Sequence, residues 1–137
     1  MIVIDTSVIV KFVIPEVRSD AAARLRGNVL AAPAIWQAEV GNAFWRKIQT
    51  KQFDEKRALP LLRALFNGIV ATIGTDEDNV REALKIAAAL EHPIYDCFFL
   101  EAAVRENTFV VTDDNRFGEV VRRNKKWTSH LRLLSEF

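Results

Sequence analysis

Met1-Ile2-Val3-Ile4-Asp5-Thr6-Ser7 opens the chain, and its reading decides the fold. Four apolar residues run straight into an acid and two hydroxyls. Both faces of this stretch are apolar, which describes a strand buried inside a sheet rather than at its edge. Such a strand places Asp5 at its carboxyl end, where open α/β sheets hold their ligands. The following Ser7-Val8-Ile9-Val10-Lys11-Phe12-Val13 suits a helix opened by a hydroxyl cap. Asp5 then occupies a strand-to-helix turn facing a crevice, and the question becomes which other acids reach it.

Working outward, Pro15 breaks the first helix, and Glu16 to Arg26 reads as a second, stopped by Gly27-Asn28. Val29 to Pro33 is a short buried strand. A long helix from about Ala34 to Thr50 carries Ile35, Trp36, Val40, Ala43, Phe44 and Ile48 at helical period. Asp54 caps another helix to about Phe66, and Ile69 to Gly74 is strand-like. Thr75 caps a helix to Leu90, with Asp76, Glu77 and Asp78 in its first turn. After Pro93 a helix runs from Ile94 to Asn107. Thr108-Phe109-Val110-Val111-Thr112 is the next strand and runs into Asp113 and Asp114. A helix from Asn115 to Arg123 and a last strand, Leu131 to Leu134, complete the pattern. Strands alternating with helices predict an α/β fold: a mainly parallel central sheet flanked by helices on both faces, with strand ends gathered at one edge.

The size fits this. At 137 residues, half of them hydrophobic, the chain suits one domain, 1–137, with a real core. Nineteen basic against eighteen acidic residues leave a net charge of +1, which excludes a polycationic nucleic-acid arm but not a local basic patch. The lone cysteine, Cys97, excludes an internal disulfide and suits a cytoplasmic location. No basic region precedes the first apolar run and no cleavage site follows it, so no signal peptide is expected. Asp5, Lys11 and Pro15 interrupt the best apolar stretch, so no membrane span is expected either.

Four acidic positions stand out. Asp5 ends the first strand, and Asp113 or Asp114 ends a later one. Glu39 and Asp96 lie on helices, among apolar residues at helical spacing: Ile35 and Ala43 around Glu39, and Phe99, Leu100 and Ala103 after Asp96. An inward carboxylate on an apolar face is costly unless paired. Taken singly, each has a plain explanation as a helix cap or an ion-pair partner. Taken together they do not, because two carboxylates about 4 Å apart repel by about 4 kcal/mol at an effective dielectric near 20. A cluster survives by protonation or by holding a cation. Oxygen ligands favour Mg²⁺ or Mn²⁺ over zinc, and His92 and His130 lack zinc-site spacing, which leaves them as surface or core histidines.

These motifs resemble a known family. Ile2 to Ser7, Ala38-Glu39-Val40-Gly41-Asn42-Ala43, Tyr95-Asp96 leading into Leu100 and Ala102-Ala103, and Val111-Thr112-Asp113-Asp114 with Arg116-Phe117 look like the ordered motifs of PIN-domain ribonucleases. The small size resembles the VapC toxins of toxin–antitoxin pairs. The resemblance implies metal-binding, catalytic carboxylates at Asp5, Glu39, Asp96 and Asp114. The family's last motif, a hydroxyl residue, any residue, then aspartate, selects Asp114 and leaves Asp113 variable, a choice the residues alone leave open. Ser7 matches an orienting position, and Thr6 and Thr112 match supporting hydroxyls.

The function implied is metal-assisted hydrolysis of RNA phosphodiester bonds, leaving 5′-phosphate and 3′-hydroxyl ends. A cognate antitoxin protein and a homodimer are implied in the same way. Lys11, Arg46, Lys47, Arg116, Arg122, Arg123, Lys125 and Lys126 are candidate phosphate contacts, with Arg116 foremost because it closely follows the acidic turn. Trp36, Phe44 and Trp45 are core, base-stacking or antitoxin-groove residues. Three rivals place acids similarly. A receiver domain with bound Mg²⁺ needs an acidic pair after the first strand, where only Asp5 stands. A haloacid-dehalogenase-type phosphatase needs a second acid two residues on, where Ser7 stands. A metal-free RNA- or protein-binding module of the same fold would not need all four acids.

Overall fold

Ile2, Val3 and Ile4 are buried and form β1 (Ile2–Ile4), the middle strand of a five-stranded sheet. The computed structural model describes residues 1–137. β1 is flanked on one side by β2 (Leu30–Pro33) and then β3 (Ala71–Ile73), and on the other by β4 (Val110–Thr112) and then β5 (Leu131–Leu133). Every pairing is parallel, with Val3 opposite Ala31 on one side and Val110 on the other. The expected mainly parallel sheet is therefore wholly parallel. Its order, β3-β2-β1-β4-β5, makes the gap between β1 and β4 the point where successive connections turn to opposite sides, and there the strand ends part to leave a crevice.

The helices are α1 (Thr6–Ile9), α2 (Ser19–Arg24), α3 (Trp36–Gln49), α4 (Glu55–Phe66), α5 (Glu77–Leu90), α6 (Ile94–Arg105) and α7 (Asn115–Arg122). They cover both faces of the sheet in an α/β/α arrangement. α6 buries Phe99, Leu100, Ala102 and Ala103 across β1, β2 and β4, which explains why it is apolar nearly all round. Cys97 is buried there too, and burial pushes its thiol up to about 12. No helix is long and apolar enough to cross a membrane.

Local chemistry moves several expected boundaries. The first helix is opened by the Asp5 carboxylate, which accepts from the Val8 N–H at 3.3 Å, and it tightens into a 3₁₀ turn over Val10–Phe12. Residues 16–18 are not helical, because Arg18 takes a left-handed conformation (φ 64°) and α2 starts only after it. Asp76 rather than Thr75 caps α5: its carboxylate accepts from the Asn79 N–H at 3.0 Å, and the Asn79 side chain returns the bond at 2.9 Å. Asn107 (φ 50°) lies in the left-handed turn that follows α6, whose last residue is Arg105. β5 ends at Leu133, one residue short of expectation.

Candidate active site

Asp5, Glu39, Asp96 and Asp114 line one cleft of about 540 Å³, together with Thr6, Ser7, Asn42, Arg46, Tyr95 and an apolar wall that includes Val10 and Ile35. Four separate elements deliver these acids. Asp5 follows β1, Glu39 sits in the first turn of α3, Asp96 in the first turn of α6, and Asp114 caps α7 after β4.

Each acid is tied at one oxygen. Asp5 Oδ1 accepts from the Ser7 hydroxyl at 2.5 Å as well as from Val8. The Thr6 hydroxyl donates to Glu39 Oε2 at 2.6 Å. Asp114 Oδ1 accepts from the Arg116 and Phe117 N–H groups at 2.9 and 3.1 Å, at the positive end of α7. Asp96 Oδ2 lies 2.7 Å from His92 Nε2. The second oxygens of Glu39, Asp96 and Asp114 take no hydrogen bond from the chain. The Asp113 N–H donates to Ser7 Oγ at 2.8 Å, linking the ends of β4 and β1, and within the turn the Asp114 N–H donates to buried Thr112 Oγ1 at 3.0 Å.

The electrostatics follow from this crowding. Burial pushes the Asp5 carboxyl up to about 7, against the pull of the Ser7 and Thr112 hydroxyls and with a further push from the Asp96 charge. Burial also raises Glu39, with the Thr6 hydroxyl opposing and Asp96 adding to the rise. Asp5 and Glu39 therefore both sense the Asp96 charge. No three of the acids yet converge tightly enough to form a ready-made ion nest, and mutual repulsion resists their closer approach. Oxygen donors with spare lone pairs suit a hard divalent cation, so the donor set fits Mg²⁺ or Mn²⁺.

Several expected residues lie elsewhere. Asp113 does not line the cleft; its carboxylate pairs with Lys11 Nζ at 3.1 Å and with Arg18 Nε. Lys11 does not offer a free ammonium to a phosphate. Its side chain is only 6% exposed, with the ammonium 3.1 Å from Glu16 as well as from Asp113, because a buried ammonium needs carboxylate partners. Glu16 also takes Lys47, which removes that lysine as a free cation. Arg116 is exposed in the first turn of α7, beside the cleft rather than lining it. Trp36 and Phe44 are buried, and the Trp36 N–H donates to Thr72 Oγ1 at 3.0 Å, so neither stacks on a base. His92, read as an isolated histidine, touches Asp96. The signal was its spacing, four residues before that acid.

Fold and cleft together define a parallel α/β/α domain with an acidic cleft at the point where its topology turns. The chain belongs to the PIN-domain family, whose sequence profile, described as "PIN domain", matches residues 2–123. No curated relative matches it in sequence. Among solved structures it is similar to PAE2754 from Pyrobaculum aerophilum, at 18% identity and a TM-score of 0.72 over 98% of this chain and 84% of that one. It is similar to VapBC2 from Rickettsia felis, solved with a DNA fragment from its promoter, at 17% identity and a TM-score of 0.67 over 97% and 98%. The sarcin–ricin-loop-cleaving toxin VapC20 of Mycobacterium tuberculosis matches at 14% identity and a TM-score of 0.66 over 87% and 94%. At these identities the likeness is one of fold.

Proposed function

We propose that the chain, acting as one domain over residues 1–137, is a Mg²⁺-dependent endoribonuclease and the toxin of a toxin–antitoxin pair. The observation that carries this reading is the arrival of four acids from four elements in one cleft of a PIN-family chain, a family generally of nucleases. Asp5, Glu39, Asp96 and Asp114 would hold Mg²⁺ or Mn²⁺, which when bound activates water and stabilises charge on phosphate oxygens. The chain's own groups do the rest. Ser7 and Thr6 fix the Asp5 and Glu39 carboxylates, and the N-terminus of α7 fixes Asp114. Arg46, exposed in the cleft wall, can meet a backbone phosphate, and Arg116 can meet the next. Ser7 is assigned an orienting role, its hydroxyl donating to Asp5 and accepting from the Asp113 N–H.

An antitoxin partner belongs to the same proposal. It is supported by fold neighbours that were solved as toxin–antitoxin complexes. The homodimer is proposed too; α5 exposes Val80 and Leu84 one turn apart, a face a second copy could cover. A cytoplasmic location follows from an RNA substrate. One observation favours a metal-free binding module of the same fold, namely that no three acids already converge.

Cleavage of structured total RNA by antitoxin-free protein, in Mg²⁺ and in EDTA, separates the two readings. Cutting should need the metal and should fall by at least about three orders of magnitude in Asp5→Asn, as for the loss of a group acting mainly in the transition state. Asparagine is itself a good helix cap, so the fold should persist. Full activity in Asp5→Asn, or in EDTA, would remove the metal-site reading.

A further inference from the structure

We propose that His92 is a positioning residue for Asp96: it holds one carboxylate oxygen so that the other is presented to the cation. The inference rests on the metal-dependent reading of the cleft and names a residue that reading does not include.

Three observations carry it. First, the imidazole is held in place. His92 lies in the turn between α5 and α6, its backbone N–H donates to the Ala87 carbonyl at 3.1 Å, and Pro93 follows directly as the residue before α6. Its side chain is 11% exposed. Second, Nε2 is 2.7 Å from Asp96 Oδ2, so an Nε2–H donates to one lobe of the carboxylate and leaves Oδ1 without a partner in the chain. Third, the ring packs on buried Phe117, with centroids 5.0 Å apart and planes tilted by 33°. The Phe117 N–H in turn donates to Asp114 Oδ1. One imidazole thus touches both Asp96 and the residue that anchors Asp114, and it registers two acids carried by different helices. Carboxylate ligands are commonly oriented by such hydrogen bonds, and losing one typically costs about 10- to 100-fold in metal affinity or activity.

A purely structural histidine would stabilise the fold and leave metal affinity alone, so affinity is the quantity to read. Mg²⁺ is titrated into metal-stripped wild type, His92→Phe and His92→Gln, with melting temperature as one readout and RNA cleavage as the other. Phenylalanine keeps the ring contact with Phe117 but has no N–H, whereas glutamine restores a side-chain donor. His92→Phe should need about tenfold more Mg²⁺ or more for half of its response, with its melting temperature in EDTA little changed, and His92→Gln should recover most of the loss. A wild-type Mg²⁺ response in His92→Phe overturns the inference.

If His92→Phe fails to fold, the wild-type protein decides by ¹⁵N NMR of its two imidazoles. Mg²⁺ should shift His92 and leave His130, whose Nδ1 faces the Thr108 carbonyl, unmoved. An unmoved His92 in a protein that binds Mg²⁺ overturns the inference. If the wild type does not respond to Mg²⁺ at all, the nuclease reading fails and takes this inference with it, an outcome distinct from a metal-binding protein indifferent to His92.

Discussion

Asp5 performs two tasks with one side chain, capping α1 and facing the cleft, and the second opposes the fold. Its carboxyl is pushed from 3.8 to about 7, chiefly by burial. The folded, metal-free protein therefore holds that proton more tightly than the unfolded chain. Metal-free stability should be highest near pH 4–5 and should fall as the pH rises toward 7, by at most about 1.4 kcal/mol per pH unit for this one group, then level off. Glu39 is raised too and acts in the same direction. Glu16, lowered by Lys47 and Lys11 against the effect of its own burial, acts oppositely, but below its ordinary value, in a separate window. Urea unfolding in EDTA at pH 5, 6, 7 and 8 measures the slope, and Asp5→Asn should flatten it. Stability that rises across this range would contradict the assignment of a buried, uncompensated acid. Residue types and spacing made the four cleft acids legible in the sequence, because strand ends and helical periods can be counted. They did not separate Asp113 from Asp114. That difference lies in Lys11 and Arg18, which reach Asp113 from far away in the chain. Lys11 misled for the same reason: a lysine between apolar neighbours reads as a surface charge until its carboxylate partners are seen.

Among the elements, α6 matters most for the site, and part of its hold on α5 is polar. The Asn79 side chain donates to Glu101 at 3.1 Å, and Arg105 bonds Asn79, Glu101 and the Gly74 carbonyl. Asn79 also closes the reciprocal cap with Asp76, so this lock joins the start of α5 to the far end of the helix that carries Asp96. Asp76→Ala should cost about 1 kcal/mol in unfolding free energy and leave cleavage at low temperature unchanged, because the cap lies at the opposite end of α6 from the cleft. Activity lost well below the melting temperature would mean that the lock sets the position of Asp96. Helices were legible as elements from their caps and periods, and some ends with them, Asp54 capping α4 and Leu90 closing α5, but other ends were not. Arg18 and Asn107 turn left-handed without glycine, and Asp5 and Asp76 displace hydroxyls as caps. Neighbouring groups make such choices, and those neighbours are distant in sequence.

For the whole molecule, strands of three or four residues identify a parallel sheet but do not state its order. Apolar strands carry little information about which neighbour they take, so the central place of β1 was legible from its two apolar faces while β3 and β5 at the edges were not. The order gathers four like charges at one edge, and a cation there should stabilise the whole fold. Mg²⁺ at a hundred times its dissociation constant should contribute about 2.7 kcal/mol, seen as a melting temperature several degrees higher. Asp114→Asn should blunt that rise, and an equal rise in this variant would place the cation elsewhere. The parallel order also has a consequence for biosynthesis. β1 is synthesised well before one of its two partners, β4, Val3 waiting for Val110. Asp5 cannot meet Asp114 until then, so a chain terminated before Asp114 lacks the complete acidic cleft. On the proposed toxin reading, a cell is spared the activity of its unfinished copies.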